Sequence, residues 1–342
     1  MDKIDFYLQA SIRENTQKSY ANAIQHYEFE WQGLLPATAD HIAHYLTDYA
    51  GILSLNTLKQ RLAALSQWHI EQGFPDPTKA PIVKKVLKGI KTVHPVQEKQ
   101  AKPLQLNQLK QTVDYLDQVI EQSKNSGERA KHLRYTRNKV LLLLGFWRGF
   151  RGDELTRLEV KNIEIHPESL RCYLAKTKGN RTLNGQYFQV PALSQLCPVQ
   201  AYSDWIKVSE LNSGMVFRSI NRWGQLSTNA LHIDSLIPLI RNIFSEADVE
   251  SAELYSAHSL RRGFANWATS NGWDIKDLMQ YVGWKNINSA LRYIESSQRF
   301  QDINIYSVHD KFHRTLILSG FCLLKIAKIS LNSSFFPKPI KR

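Results

Sequence analysis

Along the first hundred positions apolar residues recur at steps of three and four, the period of an amphipathic helix. Thr16, Tyr20, Ile24, Tyr27 and Trp31 form the first such stripe. The pattern predicts a second helix over about 39–49 and a third over about 56–72. The third turns Leu58, Leu62, Leu65 and Trp68 inward and Lys59 and Arg61 outward, and it ends at Gly73 and Pro75. A fourth, over about 81–92, sets Lys84, Lys85, Lys88 and Lys91 on its polar side and Ile82, Val83, Val86, Leu87 and Ile90 on its packing side. The stretch 94–103 then loses all period, is polar and holds two prolines, so it reads as an extended linker with a boundary near residue 99.

Past the linker the period returns, predicting helices over about 106–122 and 135–147 around a polar turn at 124–127. The apolar and aromatic run 170–175, the turn pair Gly179-Asn180 and the run 186–190 predict a β-hairpin. Helices are expected again over 199–210, 228–246, 257–271 and 275–282. The chain is therefore expected to be mainly α: a helical N-terminal domain, 1–99, and a mixed, mostly helical domain with a small β-sheet, 100–306. In a tail, 307–342, the apolar residues Leu316, Leu318, Phe321, Leu324 and Ile329 suit a docking helix.

Composition narrows the class of partner. The 342 residues exceed one ordinary core, and 43% hydrophobic content excludes wholesale disorder. Lys and Arg number 44 against 31 Asp and Glu, a formal charge of +13 that favours a polyanion without specifying any base sequence. Cys172, Cys197 and Cys322 are scattered, with neither metal-ligand spacing nor an even disulfide framework, which suits a reducing compartment. The first residues do not read as a signal peptide, and the apolar stretch 315–331 is broken by Lys325 and Lys328. A soluble, cytoplasmic protein with no membrane partner and no metal is expected.

The candidate chemistry lies in two places: Gly149-Phe-Arg151-Gly-Asp-Glu154-Leu, and the stretch holding His258-Ser-Leu-Arg261, Gly283-Trp284 and Leu291-Arg-Tyr293. A phosphodiester under attack presents two charged oxygens, and a planar, permanently protonated guanidinium matches them with parallel hydrogen bonds. Arg151 and Arg261 suit such a clamp. His258, three residues before Arg261, falls on the same helical face and can donate to the phosphate or move a proton. Tyr293 offers a phenol, a poor nucleophile that neighbouring cations improve by favouring the phenolate.

In order along the chain, Arg151, Lys178, His258-x-x-Arg261, Trp284 and Tyr293, with Glu154 three residues after the first arginine, resemble the tyrosine recombinase, or phage integrase, family. The resemblance implies the integrase fold with a helical, SAM-like core-binding domain, and attack by Tyr293 on one DNA strand. A 3′-phosphotyrosyl intermediate, release of a 5′-hydroxyl and rejoining by another 5′-hydroxyl follow, with no metal, ATP or cofactor. It places Lys178 at a hairpin tip as general acid, with Lys176 a close competitor, and gives Trp284 a binding and packing role where many relatives carry histidine. Glu154 is expected to brace Arg151 or His258. Arg262, directly after Arg261, raises a question of register about which of the two faces the phosphate, and the His-x-x-Arg spacing favours Arg261. Double-stranded DNA is the implied partner, contacted in the first domain by Lys59, Arg61, Lys84, Lys85, Lys88 and Lys91. A homotetramer on two sites, accessory DNA-bending proteins and association with the nucleoid also follow from the resemblance. Two other outcomes stay open: a type IB topoisomerase-like enzyme, and a catalytically idle DNA-binding relative.

Overall fold

In the computed structural model, which describes residues 7, 14–95, 100–175 and 185–294, the chain divides into two compact units, Met1–Lys99 and Gln100–Arg342. The first is helical. Helix α1 (Glu14–Gln25) runs into a π-helical turn (His26–Glu30), followed by α2 (Ala39–Asp48), α3 (Leu55–Glu71) and α4 (Pro81–Val93). Short polar side chains start two of these helices by accepting orphan backbone N–H groups. Thr38 Oγ1 takes the His41 amide at 3.2 Å and Ser54 Oγ takes the Thr57 amide at 3.0 Å. Tyr27, Ile42, Tyr45, Leu46, Leu58, Leu65 and Val83 form the core. Buried His69 accepts the Ala37 amide on Nε2 at 2.8 Å, so its Nδ1 carries the proton and donates to the Leu65 carbonyl at 2.7 Å.

The second unit begins with α5 (Leu106–Asn125), α6 (Arg129–Trp147) and the short α7 (Gly152–Thr156). A three-stranded antiparallel sheet follows, β1 (Ile163–His166), β2 (Ser169–Leu174) and β3 (Gln186–Pro191), with β2 central. Register pairs Leu170 with Val190 and Cys172 with Phe188, so the inward residues of both strands meet on one buried face. Then come α8 (Pro198–Ser209), the hairpin β4 (Arg218–Ile220) and β5 (Leu226–Ala230), α9 (Leu236–Glu246), α10 (Ala257–Ser270), α11 (Ile275–Val282) and α12 (Ile287–Ile294). Helix α6 is the axle of this unit: from Val140 to Leu144 every residue is fully buried, because α5, α8 and α10 all pack on it.

The structure departs from the sequence pattern in several places. Residues 228–230 are strand rather than the start of a helix, and the helix begins at Leu236. The cause is turn chemistry: Asn221 Oδ1 accepts the amides of Trp223 at 3.0 Å and Gln225 at 2.9 Å, folding β5 back onto β4. Helix α6 starts at Arg129, ahead of the expected 135, and β1 has no counterpart in the predicted elements. Ile82 is 43% exposed rather than packed. Arg61 turns inward, donating Nη1 to the Tyr45 hydroxyl at 3.3 Å, because the aromatic core offers a polar partner. The expected hairpin tip and the tail, 307–342, lie outside the described residues. None of the described helices is long and apolar enough to cross a membrane.

Residues 100–104 lie along the start of α10. The Lys102 amide donates to the Leu254 carbonyl at 3.2 Å and the Leu104 amide to the Ser259 carbonyl at 3.0 Å. A side chain at Gly263 would put its Cβ 2.1 Å from the Leu104 carbonyl oxygen, so only glycine lets this segment close on the helix. Gly263→Ala is expected to cost about 1–3 kcal/mol by this overpacking. Chemical denaturation of the full chain measures it; an unchanged midpoint would refute the steric argument.

Candidate active site

Two turns and two helices build the site. Arg151 directly precedes α7. Its amide donates to Glu154 Oε2 at 2.8 Å and its Nη1 to Glu154 Oε1 at 2.7 Å, so one carboxylate caps the helix and fixes the arginine's direction. Glu154 is 6% exposed, while the Arg151 side chain keeps 22% of its surface.

Arg261 lies on the buried side of α10 and is 1% exposed. Its Nη1 donates to the Gly149 carbonyl at 2.6 Å and its Nη2 to the Val282 carbonyl at 3.2 Å. Nη1 also lies 3.9 Å from Glu154 Oε2. Both carbonyls are delivered by left-handed turns that glycine adopts without strain, Gly149 at φ +62° and Gly283 at φ +74°. Trp284, 6% exposed, sets its ring 5.0 Å from the Arg261 guanidinium carbon. Glu154 thus stands between the two arginines that the sequence separates by more than a hundred positions. One carboxylate against two guanidiniums leaves an excess of positive charge at this spot.

His258 occupies the first turn of α10, where the Ser256 hydroxyl accepts its amide at 3.2 Å, and it is exposed. Arg261 follows one turn later, facing inward. Arg262 goes elsewhere, donating Nη1 to Gln100 Oε1 at 2.6 Å, so Arg261 is the arginine beside Glu154. The backbone of Tyr293 belongs to α12, which packs on α10 and α11, and Ala290 of the same helix is fully buried. Lys178, Lys176 and Arg181 fall in the connection between β2 and β3 and lie outside the described residues. In the first unit Lys59, Lys84, Lys85, Lys88 and Lys91 are exposed, whereas Arg61 is half-buried. Among the described residues no group of three or more His, Cys, Asp or Glu could hold a metal ion.

Sequence reasoning missed Arg148. It ends α6 beneath the site, 4% exposed, with its guanidinium carbon 4.4 Å from the ring centres of both Phe188 and Tyr281. The available signal was a lone arginine among Leu141–Leu144, Phe146, Trp147 and Phe150, a setting where a cation is rarely tolerated without a purpose. Burial pulls its pKa down, and the Glu154 carboxylate opposes that pull. Burial likewise pushes the Tyr281 phenol and the Cys172 thiol each up to about 12, so both stay neutral at ordinary pH.

The sequence profile of the phage integrase family matches residues 104–299. An integrase/recombinase XerD homolog of Selenomonas ruminantium is 27% identical over 313 residues, 89% of this chain and 88% of the relative. The Cre recombinase of Escherichia phage P1 is 25% identical over 277 residues, 76% of this chain and 77% of its own. The fold is also similar to that of the XerH site-specific recombinase crystallised on a palindromic difH substrate, with a TM-score of 0.59 at 18% identity. That match covers 89% of this chain and 80% of the other. The profile covers more than half of the chain, and the fold agrees with it: this protein belongs to the phage integrase family.

Proposed function

We propose that this protein is a site-specific DNA recombinase that breaks and rejoins strands through Tyr293. The observation that carries the reading is the shared carboxylate: Glu154, bonded to Arg151 at 2.7 Å and 3.9 Å from Arg261, gathers two guanidiniums at one spot, one exposed enough to meet a phosphate and one buried beside it. Arg151, the more exposed, bonds the scissile phosphate directly, and Arg261 supplies charge from the floor of the site. The Tyr293 oxygen attacks phosphorus and forms the phosphotyrosyl ester. The bond to the 5′-oxygen breaks, and that oxygen leaves with a proton from Lys178.

A phenol of ordinary pKa near 10 costs about 4 kcal/mol to ionise at pH 7, and a cationic pocket reduces that cost. His258, on the first turn of α10, bonds the phosphate or takes the phenolic proton. The bond energy is held in the ester, so a second 5′-hydroxyl can reverse the step without ATP, metal or cofactor. Exchange of four strands calls for a homotetramer on two duplexes, with DNA-bending partners as accessories. The family gives DNA as the partner, and solved relatives, among them the XerH recombinase on its difH substrate and a lambda integrase dimer on a core site, were crystallised on DNA. The unit 1–99 acts as the core-binding domain, gripping phosphates with Lys59, Lys84, Lys85, Lys88 and Lys91, while 100–306 carries catalysis.

Nicked duplexes with randomised flanks test the chemistry, since a nick beside the cleavage point traps the covalent adduct. The parent chain is expected to form adducts and joined products, and Tyr293→Phe neither; adducts persisting in Tyr293→Phe would overturn the reading. Adducts without joined products would mark a topoisomerase-like enzyme, and no adducts an idle DNA-binding relative. Glu154→Gln, which keeps the shape and removes the charge, is expected to slow adduct formation about 10–100-fold with DNA affinity little changed. Equal rates would show that the carboxylate does not orient Arg151. Replacing Lys84, Lys85, Lys88 and Lys91 by Gln is expected to lower the slope of log affinity against log salt by about one for each phosphate that is no longer neutralised. A slope equal to that of the parent would remove α4 from the DNA interface.

A further inference from the structure

We propose that Arg148 is a positioning residue for strand cleavage: its buried guanidinium, stacked between Phe188 and Tyr281, holds the two arms of the site at a fixed spacing. The inference rests on the recombinase reading above.

Arginine is a costly way to fill position 148. The side chain is 4% exposed, and its Nε and Nη1 have no hydrogen-bond partner among the described residues. Buried donors without acceptors and a buried cation without a bonded carboxylate both oppose folding. Contact with two aromatic faces returns part of that cost. An unbranched apolar side chain of similar length would fill the same space with no donor to satisfy. The arginine is therefore poorly explained by stability alone, and groups of this kind cluster at functional sites.

The stack joins two elements that matter to the chemistry. Phe188 lies on β3, the strand that receives the chain from the connection holding Lys176 and Lys178. It pairs with Cys172 on β2, and a Cβ on Gly283 would lie 3.7 Å from its ring. Tyr281 lies near the end of α11, its hydroxyl donating to the Trp147 carbonyl at 2.8 Å. The next residue, Val282, offers its carbonyl to Arg261, and Gly283 and Trp284 follow. With both ring centres 4.4 Å from its guanidinium carbon, Arg148 fixes the gap between the strand leading from the proposed general acid and the helix end that seats Arg261. Arg151 is three residues further along the same turn. The Arg148 guanidinium also interacts electrostatically with Glu154, so a third cation, 4% exposed, adds to the field around that carboxylate.

The test uses the full chain with Arg148→Met, which keeps length and volume but removes charge and planarity, and Arg148→Lys, which restores the charge. Three quantities are measured: thermal midpoint, DNA affinity, and the single-turnover rate of adduct formation on nicked duplexes. Arg148→Met is expected to hold the midpoint within about 2 °C of the parent or raise it, and to bind DNA within about twofold. Its adduct rate is expected to fall at least about tenfold, with Arg148→Lys recovering part of the loss. A merely structural role would lower the midpoint and the affinity together with the rate. An unchanged rate in Arg148→Met overturns the inference, as does a rate that falls only in step with the midpoint and is not recovered by Arg148→Lys. Either result leaves the recombinase reading intact. If the parent chain itself forms no adduct, that reading fails and this inference with it.

Discussion

The site depends on one buried cation. Arg261 is enclosed by protein, and its charge is tolerated there because the Gly149 and Val282 carbonyls accept its N–H groups and the Glu154 carboxylate lies close by. Each acceptor comes from a different part of the chain: the turn after α6, the end of α11 and the first turns of α7. A guanidinium in this position is a cross-link as much as a functional group. Removing one partner from such a buried set costs about 3–5 kcal/mol, because the charge left behind can neither be resolvated nor neutralised. The same set therefore assembles the pocket and keeps it positively charged.

Glu154 is the hinge of that arrangement. Its oxygens accept from the Arg151 amide and guanidinium while one of them faces Arg261, so a single side chain caps a helix, orients one arginine and partly neutralises another. Incomplete neutralisation is the useful result. A second carboxylate would close the pocket electrostatically, and none would leave two like charges repelling across it. Trp284 belongs to the same arrangement, with its ring against the Arg261 guanidinium.

The two units show the same logic applied to different surfaces. In the first, polar and charged groups are distributed by which side of a helix meets the aromatic core. Arg61 is drawn in by the Tyr45 hydroxyl, and the four lysines of α4 stay out because Val83 and Ile90 occupy the inner face. In the second, α6 is buried along its C-terminal half, so that stretch has no amphipathic stripe, and the charged residue at its end, Arg148, has to be accommodated by aromatic faces. The sheet contributes through alternation: Phe188 and Cys172 point inward as register neighbours, and the strand leading from the lysine-bearing connection is thereby tied to the core.

The sequence by itself determined the helices of the first unit, the pairing of β2 with β3, the helix carrying His258 and Arg261, and the order of the candidate side chains. These are properties of local period, capping residues and motif order, each written within a few turns of chain. It could not show that β5 folds back where the pattern predicts helix, since that depends on Asn221 closing a turn and on a partner strand to pair with. Nor could it pick out Arg148 or turn Arg61 inward. Those outcomes were decided by tertiary structure, because where a charged side chain lies is set by which distant carbonyls, carboxylates and rings surround it after folding, and these partners have no fixed spacing along the chain.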